Sequence, residues 1–233
     1  MITVKSIIDS VSITLNDTDT VRRWPESELV GYFNEAQNEI VKKNLGEGLT
    51  TAVMATVAGT LQKLPVGAIE LDEVTHNMGL FTNQAPGNAI TIIDRNQLDT
   101  QVPSWHATPP TGSFDHYIYD GRDRKGFDLY PPAAGTEAIA VKYFAIPAPV
   151  TVISVLNGTA TLSVSDEYDP AIKSYILYRA ISKDAEYTVN AQIAIGHYQA
   201  FANSIGIEAN QQAKASPNNN AAPYTHSPLP DER

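Results

Sequence analysis

The sequence predicts an α+β protein: a helical bundle built from both chain ends, an inserted antiparallel β-domain and an extended C-terminal arm. Apolar residues recur at helical spacing before residue 48 and after residue 165. Between these segments β-branched residues alternate with polar ones, and turn formers separate the runs. Neither pair of helices can bury its apolar face alone, so we expect the two pairs to pack on each other. The predicted segments are 1–48, 49–164, 165–213 and 214–233.

Two helices are predicted in the N-terminal segment. The first covers 4–15, with apolar residues at positions 4, 7, 8, 11 and 15. The second covers 24–44 and begins near Pro25, because proline suits the first position of a helix. Its first turn is acidic and its last turn is basic, which matches the helix dipole. Its apolar face should lie in the bundle core and consists of Leu29, Tyr32, Phe33, Ala36 and Ile40.

The middle segment predicts a small antiparallel sheet, sandwich or barrel. Alternation predicts strands at 50–61, 68–75, 89–93, 117–119, 127–130 and 138–144. Proline pairs such as Pro131-Pro132 are interpreted as turns between them. Within 152–164, Asn157-Gly158 predicts a hairpin, because both residues tolerate a positive φ.

Two further helices are predicted near the C-terminus. Asp169-Pro170 provides a cap and a first helical residue for a helix over 171–187, and a second helix covers 189–212. Five tyrosines cluster in this region, and we interpret most of them as half-buried packing, with an interface as the alternative. From residue 216 onward, four prolines and three consecutive asparagines cannot form a core. This end is therefore either a disordered tail or an arm that becomes ordered on a partner.

Composition excludes several classes of function. The formal net charge of −10 predicts a surface that repels nucleic acid, so any role near DNA would be to let it pass. The chain has no cysteine, which excludes disulfides, thiolate metal sites and a thiol nucleophile. The sequence contains no run of about 18 apolar residues, so no membrane span is predicted. The first residues do not resemble a signal peptide.

No catalytic residue, cofactor site or metal site is predicted. None of the five histidines has a partner at metal-ligand spacing. His106 and His116 lie near Asp115 and Asp120, and a two-histidine carboxylate site is the alternative to surface or interface histidines. Nucleophile-elbow, phosphate-loop and dinucleotide-binding motifs are absent from the sequence. A carboxylate pair for glycoside cleavage depends on spatial separation, which the sequence does not give.

Six stretches, in this order, together resemble head-to-tail adaptor (connector) proteins of tailed bacteriophages, of the large ring-forming type found in short-tailed phages. No single stretch is a catalytic motif, and the resemblance rests on the collinear set. The stretches are RRWPESELVGYFNEAQNEIVKKN (22–44), LPVGAIELDEVTHNMG (64–79), IIDRNQLDTQVPSWHATPPT (92–111), HYIYDGRDRKGFDLYPPA (116–133), VKYFAIPAP (141–149) and SDEYDPAIKSYILYRAISKDAEYTVNAQIAIGHYQAF (165–201).

The resemblance implies a structural protein of the virion head-tail junction, assembled in the bacterial host cytoplasm. Such proteins form a homo-oligomeric ring of twelve subunits beneath the portal protein. The ring extends the DNA channel and is a platform for tail nozzle, tube or fibre proteins, with DNA only as passing cargo and no membrane involved. The bundle helices would form the ring, and the β-domain would face tail components.

Two sets of residues are candidates for these contacts. The polar face of the second helix and the clustered tyrosines would meet neighbouring subunits, the portal or passing DNA. This set is Glu28, Asn34, Glu35, Asn38, Tyr175, Tyr178, Tyr198 and Tyr224. Loops of the β-domain would face the tail, through Trp105, His106, Arg122 and Arg124.

Two other functions compete with the ring adaptor. The first is a virion binding module whose β-domain contacts glycan or a tail fibre, favoured by the loop around Trp105. The second is a cell-envelope hydrolase, for which the sequence offers no constellation of catalytic residues.

Overall fold

The computed structural model describes residues 2–19, 22–183 and 188–215, with the backbone alone for 188 and 207–215. Residues 216–233 of the predicted arm, which include Tyr224, therefore lie outside the described residues, whereas 214 and 215 belong to the last helix. In chain order, the elements are α1 (Val4–Thr14), α2 (Glu26–Lys43), β1 (Leu49–Ala55), β2 (Gly59–Lys63), β3 (Ala68–Leu80), β4 (Asn83–Gln84), β5 (Thr91–Ile92), α3 (Arg95–Gln101), β6 (His116–Tyr119), β7 (Gly126–Ala133), β8 (Glu137–Ala145), α4 (Val152–Leu156), α5 (Asp169–Ser182) and α6 (Thr188–Ala215).

The predicted mixed α+β class is confirmed. The described residues form two compact units, one from the two chain ends, up to residue 44 and from residue 149 onward, and the other from residues 45–148. In the helical unit, α1 and α2 both contact α5, so the two chain ends pack on each other as expected. The apolar face of α2 lies in this core, with Leu29, Phe33, Ala36 and Ile40 buried.

Asp17 fixes the connection that leads into α2. Its carboxylate accepts hydrogen bonds from the backbone N–H groups of Arg23 (2.9 Å) and Trp24 (2.8 Å). The bond from Trp24 is the main reason that the pKa of Asp17 lies below its usual value. The indole N–H of Trp24 in turn donates to the carbonyl oxygen of Ala180 in α5, at 3.0 Å. Through these bonds Asp17 and Trp24 tie the start of α2 to α5.

The predicted hairpin at Asn157-Gly158 is wrong. These residues end α4, whose start is capped by the Thr151 side chain accepting from the N–H of Ser154. Gly158 has φ 67°, the left-handed conformation that often terminates a helix. The same glycine preference serves hairpins and helix ends, so the local signal is ambiguous. Residues 149–164 consequently belong to the helical unit and not to the β-domain that we predicted to end at 164.

The β-unit consists of two four-stranded sheets, with the orders β1-β8-β3-β4 and β2-β7-β6-β5. The predicted run 50–61 is two strands, because the chain crosses from the first sheet to the second at residues 56–58. All named pairs are antiparallel except β5–β6, which is parallel, so the second sheet is mixed. The core between the sheets includes Leu71, Val74, Leu129 and Ile139.

Pro131 and Pro132 lie within β7 and not in a turn. They face a register shift in the neighbouring strand, between Gly59 and Leu61. Proline is tolerated in a sheet at such an irregularity, because no ladder hydrogen bond requires its missing N–H. The interpretation of this pair as punctuation between strands is therefore corrected.

Glu137 holds the corner where the two sheets meet. Its side chain is only 3% exposed, and its carboxylate accepts from the N–H groups of Ala134 (3.2 Å), Gly135 (3.0 Å) and Thr136 (3.0 Å). The Thr56 hydroxyl also donates to it, at 3.2 Å. Burial raises the pKa of Glu137, but the hydrogen bonds outweigh burial and leave the pKa lowered. The corner is thus built around a buried, ionised carboxylate.

Candidate interaction surfaces

The polar face of α2 is engaged within the subunit. Glu28 accepts from the Tyr32 hydroxyl (2.7 Å) and from the Lys183 ammonium (2.8 Å), and both bonds lower its pKa. Burial, followed by the bond to Glu28, raises the pKa of Tyr32 to about 12. Glu35 forms an ion pair with Arg179. These contacts join α2 to α5 and to the residue that follows it, so much of this face is a second packing surface.

Asn34 ties α2 to the segment before α4. Its side-chain amide donates to the carbonyl oxygen of Val150 (3.0 Å) and accepts from the N–H of Val150 (2.8 Å). One turn further along, Asn38 is half-buried on the same helix. The role of these polar residues in contacts between subunits stays a prediction.

The tyrosines of α5 and α6 form an aromatic cluster whose exposure rises toward α6. Tyr175 is 7% exposed, and its ring centroid lies 4.8 Å from that of Phe201. Tyr178 packs on Tyr198 at 5.0 Å, and Tyr198 is 48% exposed. Beside this cluster, α2 and α6 enclose a groove of about 270 Å³ lined by Glu39, Lys43, Tyr198, Phe201, Ala202 and Ile205.

Helix α6 has apolar residues on two separate faces. At about 100° per residue, Ala194, Phe201 and Ile205 fall on one side, and all three are buried. Val189, Ile193, Gly196 and Ala200 fall on the other side and are exposed. We call these four residues the α6 stripe. The spacing 189, 193, 196 and 200 that defines this stripe is visible in the sequence.

Trp105 is not a surface residue, which corrects its assignment as a tail-facing contact. Its side chain is fully buried against Leu98 and Ile118, and its indole N–H donates to Asp99 at 2.7 Å. The surrounding loop is polar, but the tryptophan supplies its small core. His106 stacks on Trp105 with ring centroids 3.6 Å apart, and its Nδ1 lies 3.0 Å from the Thr60 hydroxyl.

The two arginines predicted to face the tail are exposed, and both form ion pairs. Arg122 pairs with Asp120 at 3.1 Å, and Arg124 pairs with Glu70 at 3.9 Å. Arg122 also lies at a polar cleft of about 580 Å³, whose lining includes Asp94, Arg95, Tyr119, Asp120, Asp123 and Asp128. The backbone N–H and the guanidinium of Arg122 lower the pKa of Asp120. A glycosidase needs a carboxylic acid with a raised pKa, so Asp120 does not suit that role.

His106 and His116 do not come together as a metal site. The Nδ1 atom of each ring has a local partner: His116 Nδ1 lies 2.7 Å from the Thr91 hydroxyl, and His106 Nδ1 lies 3.0 Å from the Thr60 hydroxyl. Within the part of the chain that the structure describes, no three histidine or acidic side chains are grouped closely enough to hold a metal ion. Among the described helices, none has the length and apolarity required to cross a membrane.

A comparison with curated proteins finds no match. A comparison with protein-family models finds one that covers residues 2–223, which is nearly the whole chain. That model is described as the SU10 adaptor protein. Its match spans both units and includes α2, the cleft and the α6 stripe. The chain therefore belongs to the SU10 adaptor protein family and is a structural adaptor of phage virions.

Proposed function

We propose that the protein forms a twelve-subunit ring beneath the portal, where it extends the DNA channel and provides the attachment platform for the tail. Family membership supports an adaptor role in the virion. The observation that carries the ring is the α6 stripe, an exposed apolar face that is separate from the face of α6 already buried in the helical unit. A ring requires each subunit to present surfaces for two neighbours.

A second copy of the chain is the occupant that best fits the α6 stripe. Val189 and Ile193 are 66% and 46% exposed, one helical turn apart. Burying large aliphatic side chains stabilises an interface by roughly 25 cal/mol per Å², and small residues such as Gly196 and Ala200 let another helix approach closely. The stripe contains no charge, so a neighbouring helix would bury it without leaving an ion unpaired.

The charge of the protein fits a channel through which DNA passes. The formal net charge is −10, and a surface of this sign does not hold the phosphate backbone. In this proposal DNA is cargo, and the portal and the tail nozzle, tube or fibre proteins are the lasting partners. The head-tail junction of the virion is then the site of action, after assembly in the host cytoplasm.

Native mass measurement with and without purified portal tests this proposal. We expect twelve copies of the chain per portal for the wild type. Ile193→Asp should remain folded and fail to form the ring, because a charge would be buried in the interface. Ile92→Asp is the matched control, since Ile92 is an exposed isoleucine in the β-unit. Normal rings from Ile193→Asp would refute the α6 stripe as the contact, and absence of any ring with portal would refute the adaptor proposal.

The two competing functions, a glycan-binding module and a hydrolase, can both be tested on this protein. The aspartates, arginines and Tyr119 that line the polar cleft can bind sugar hydroxyls. Trp105 no longer supports a glycan-binding module, because its side chain is buried. Glycan binding by a chain that stays monomeric with portal present would favour the binding module. Turnover of peptidoglycan by the purified chain would favour the hydrolase.

A further inference from the structure

Strand β1 presents an open edge. It is the last strand of its sheet and, among the described strands, pairs only with β8. Thr56 continues this ladder by donating to the carbonyl oxygen of Glu137 at 2.9 Å, so the even-numbered residues direct their N–H and C=O groups toward β8. Antiparallel strands alternate in this respect. The N–H and C=O groups of Leu49, Thr51, Val53 and Ala55 therefore point away from the sheet.

The usual protections of an edge strand are missing here. Proteins block exposed edges with lysine, proline or β-bulges. The β1–β8 register runs without a shift, whereas β2–β7 and β3–β8 both contain shifts. No charged residue and no proline occurs from Gly48 to Gln62, although the chain carries 42 charged residues in total, 16 basic and 26 acidic.

The open stretch has a defined end. Beyond Ala55, the side-chain amide of Gln62 bonds to both the N–H and the C=O of Val57, each at 2.7 Å. These bonds occupy the backbone groups at the corner, so the edge available to another strand is limited to β1. On the inner side, Ala52 and Met54 pack against the core but are only half-buried. An added strand would complete their burial.

We propose that the β1 edge receives an extended strand from a tail component. The partner segment is uncharged, lacks proline at the paired positions and is apolar at alternate positions, where it passes Ala52 and Met54. Backbone hydrogen bonds supply the attachment, as in other cases of strand addition. The inference rests on the proposed adaptor function. Two copies paired antiparallel through β1 would be related by a two-fold axis, whereas neighbours in the proposed ring are not. The occupant is therefore a different chain, the tail component.

Hydrogen exchange of the peptide spanning 49–56 tests the proposal on adaptor–portal rings mixed with tails taken from the virion. The outward amides of Thr51, Val53 and Ala55 should exchange fast in rings alone. Once tails are bound, their exchange rate should fall by roughly tenfold or more. If β1 had only a structural role, adding tails would not change the exchange rate of these amides. Unchanged exchange in tail-bound rings would overturn the proposal.

Two variants at Thr51 make the test specific. Thr51→Pro removes an outward N–H without removing a bond to β8, and Thr51→Lys adds the charge that blocks edges. Both should keep the ring mass and reduce tail occupancy at least about tenfold, while Thr51→Val should match the wild type. Wild-type tail occupancy in both variants would overturn the proposal. The proposal would also be overturned if the wild-type chain formed a dimer that Thr51→Lys abolished, because the edge would then bind a second copy. If no ring forms, the proposed adaptor function fails, but the β1 edge can still be tested. Slower hydrogen exchange of the outward β1 amides when tails are added to the free chain would then support the edge proposal.

Discussion

At the scale of single residues, the corner of the β-unit depends on the charge of Glu137. Three backbone N–H groups and one hydroxyl point at this carboxylate, and all of them are donors. Gly135 beside it has φ 89°, and a Cβ there would lie 3.0 Å from the backbone nitrogen of Ala58. A glycine and an acid two residues apart thus fix the bend that joins the two sheets.

Replacing Glu137 by Gln should lower the free energy of unfolding by about 1–3 kcal/mol at neutral pH, because the amide NH₂ would face donors. The folded-state pKa is lowered, so this stabilisation is present above the ordinary pKa of glutamate and is lost as the pH falls through the folded value. Urea unfolding of both proteins from pH 7 down to pH 3 measures the difference. It should shrink on acidification, while Glu167→Gln, an exposed control, should change little. A difference that stays constant down to pH 3 would contradict this role for the charge.

Residue-scale features were the hardest to predict from the sequence. Trp105 stands among prolines and polar residues, which is typical of an exposed loop, yet it is buried by Leu98 and Ile118 from elements on either side. Glu137 follows a Gly-Thr turn and would ordinarily be exposed. In both cases burial depends on how the surrounding elements pack in three dimensions, and the local sequence pattern does not predict that packing.

At the scale of elements, periodicity predicted the apolar face of α2 but not the partners of its polar face. Leu29, Phe33, Ala36 and Ile40 are buried as expected. Asn34 bonds to Val150, which is 116 residues away, and Glu35 pairs with Arg179, which is 144 residues away. Helical spacing tells which residues share a face, whereas the occupant of that face depends on the tertiary fold.

Replacing Asn34 by Ala should cost about 1–3 kcal/mol of unfolding free energy, because both backbone groups of Val150 lose their partner. Asn38→Ala, on the same helix, should stay within about 0.5 kcal/mol of the wild type. Urea denaturation measures both values. Equal stability of the two variants would show that the bond to Val150 contributes nothing, and would return Asn34 to the candidates for contact between subunits.

At the scale of the whole molecule, the order of helices, strands and helices was predictable because apolar periodicity changes twice along the chain. The exchange of strands between two sheets was not, since β1 and β2 form one continuous run in the sequence but belong to different sheets. The boundary near residue 149 was missed because Asn157-Gly158 serves a helix end here.

Deleting residues 216–233 should leave the thermal midpoint of unfolding unchanged and reduce incorporation of the protein into the virion neck. The composition of this segment cannot form a core, so a loss of incorporation would reflect a contact with a partner. Neck occupancy in purified particles, compared with that of the full chain, measures the effect. Normal occupancy of the truncated chain would rule out the predicted arm.

The central claim is that this chain forms a ring between the portal and the tail. An image reconstruction of the particle neck tests it most directly. The expected result is a closed ring of twelve copies beneath the portal, with the α6 stripe buried between neighbouring subunits and a central opening wide enough for DNA. The claim would be contradicted if the chain were absent from the neck, or were present only as isolated copies on the tail periphery.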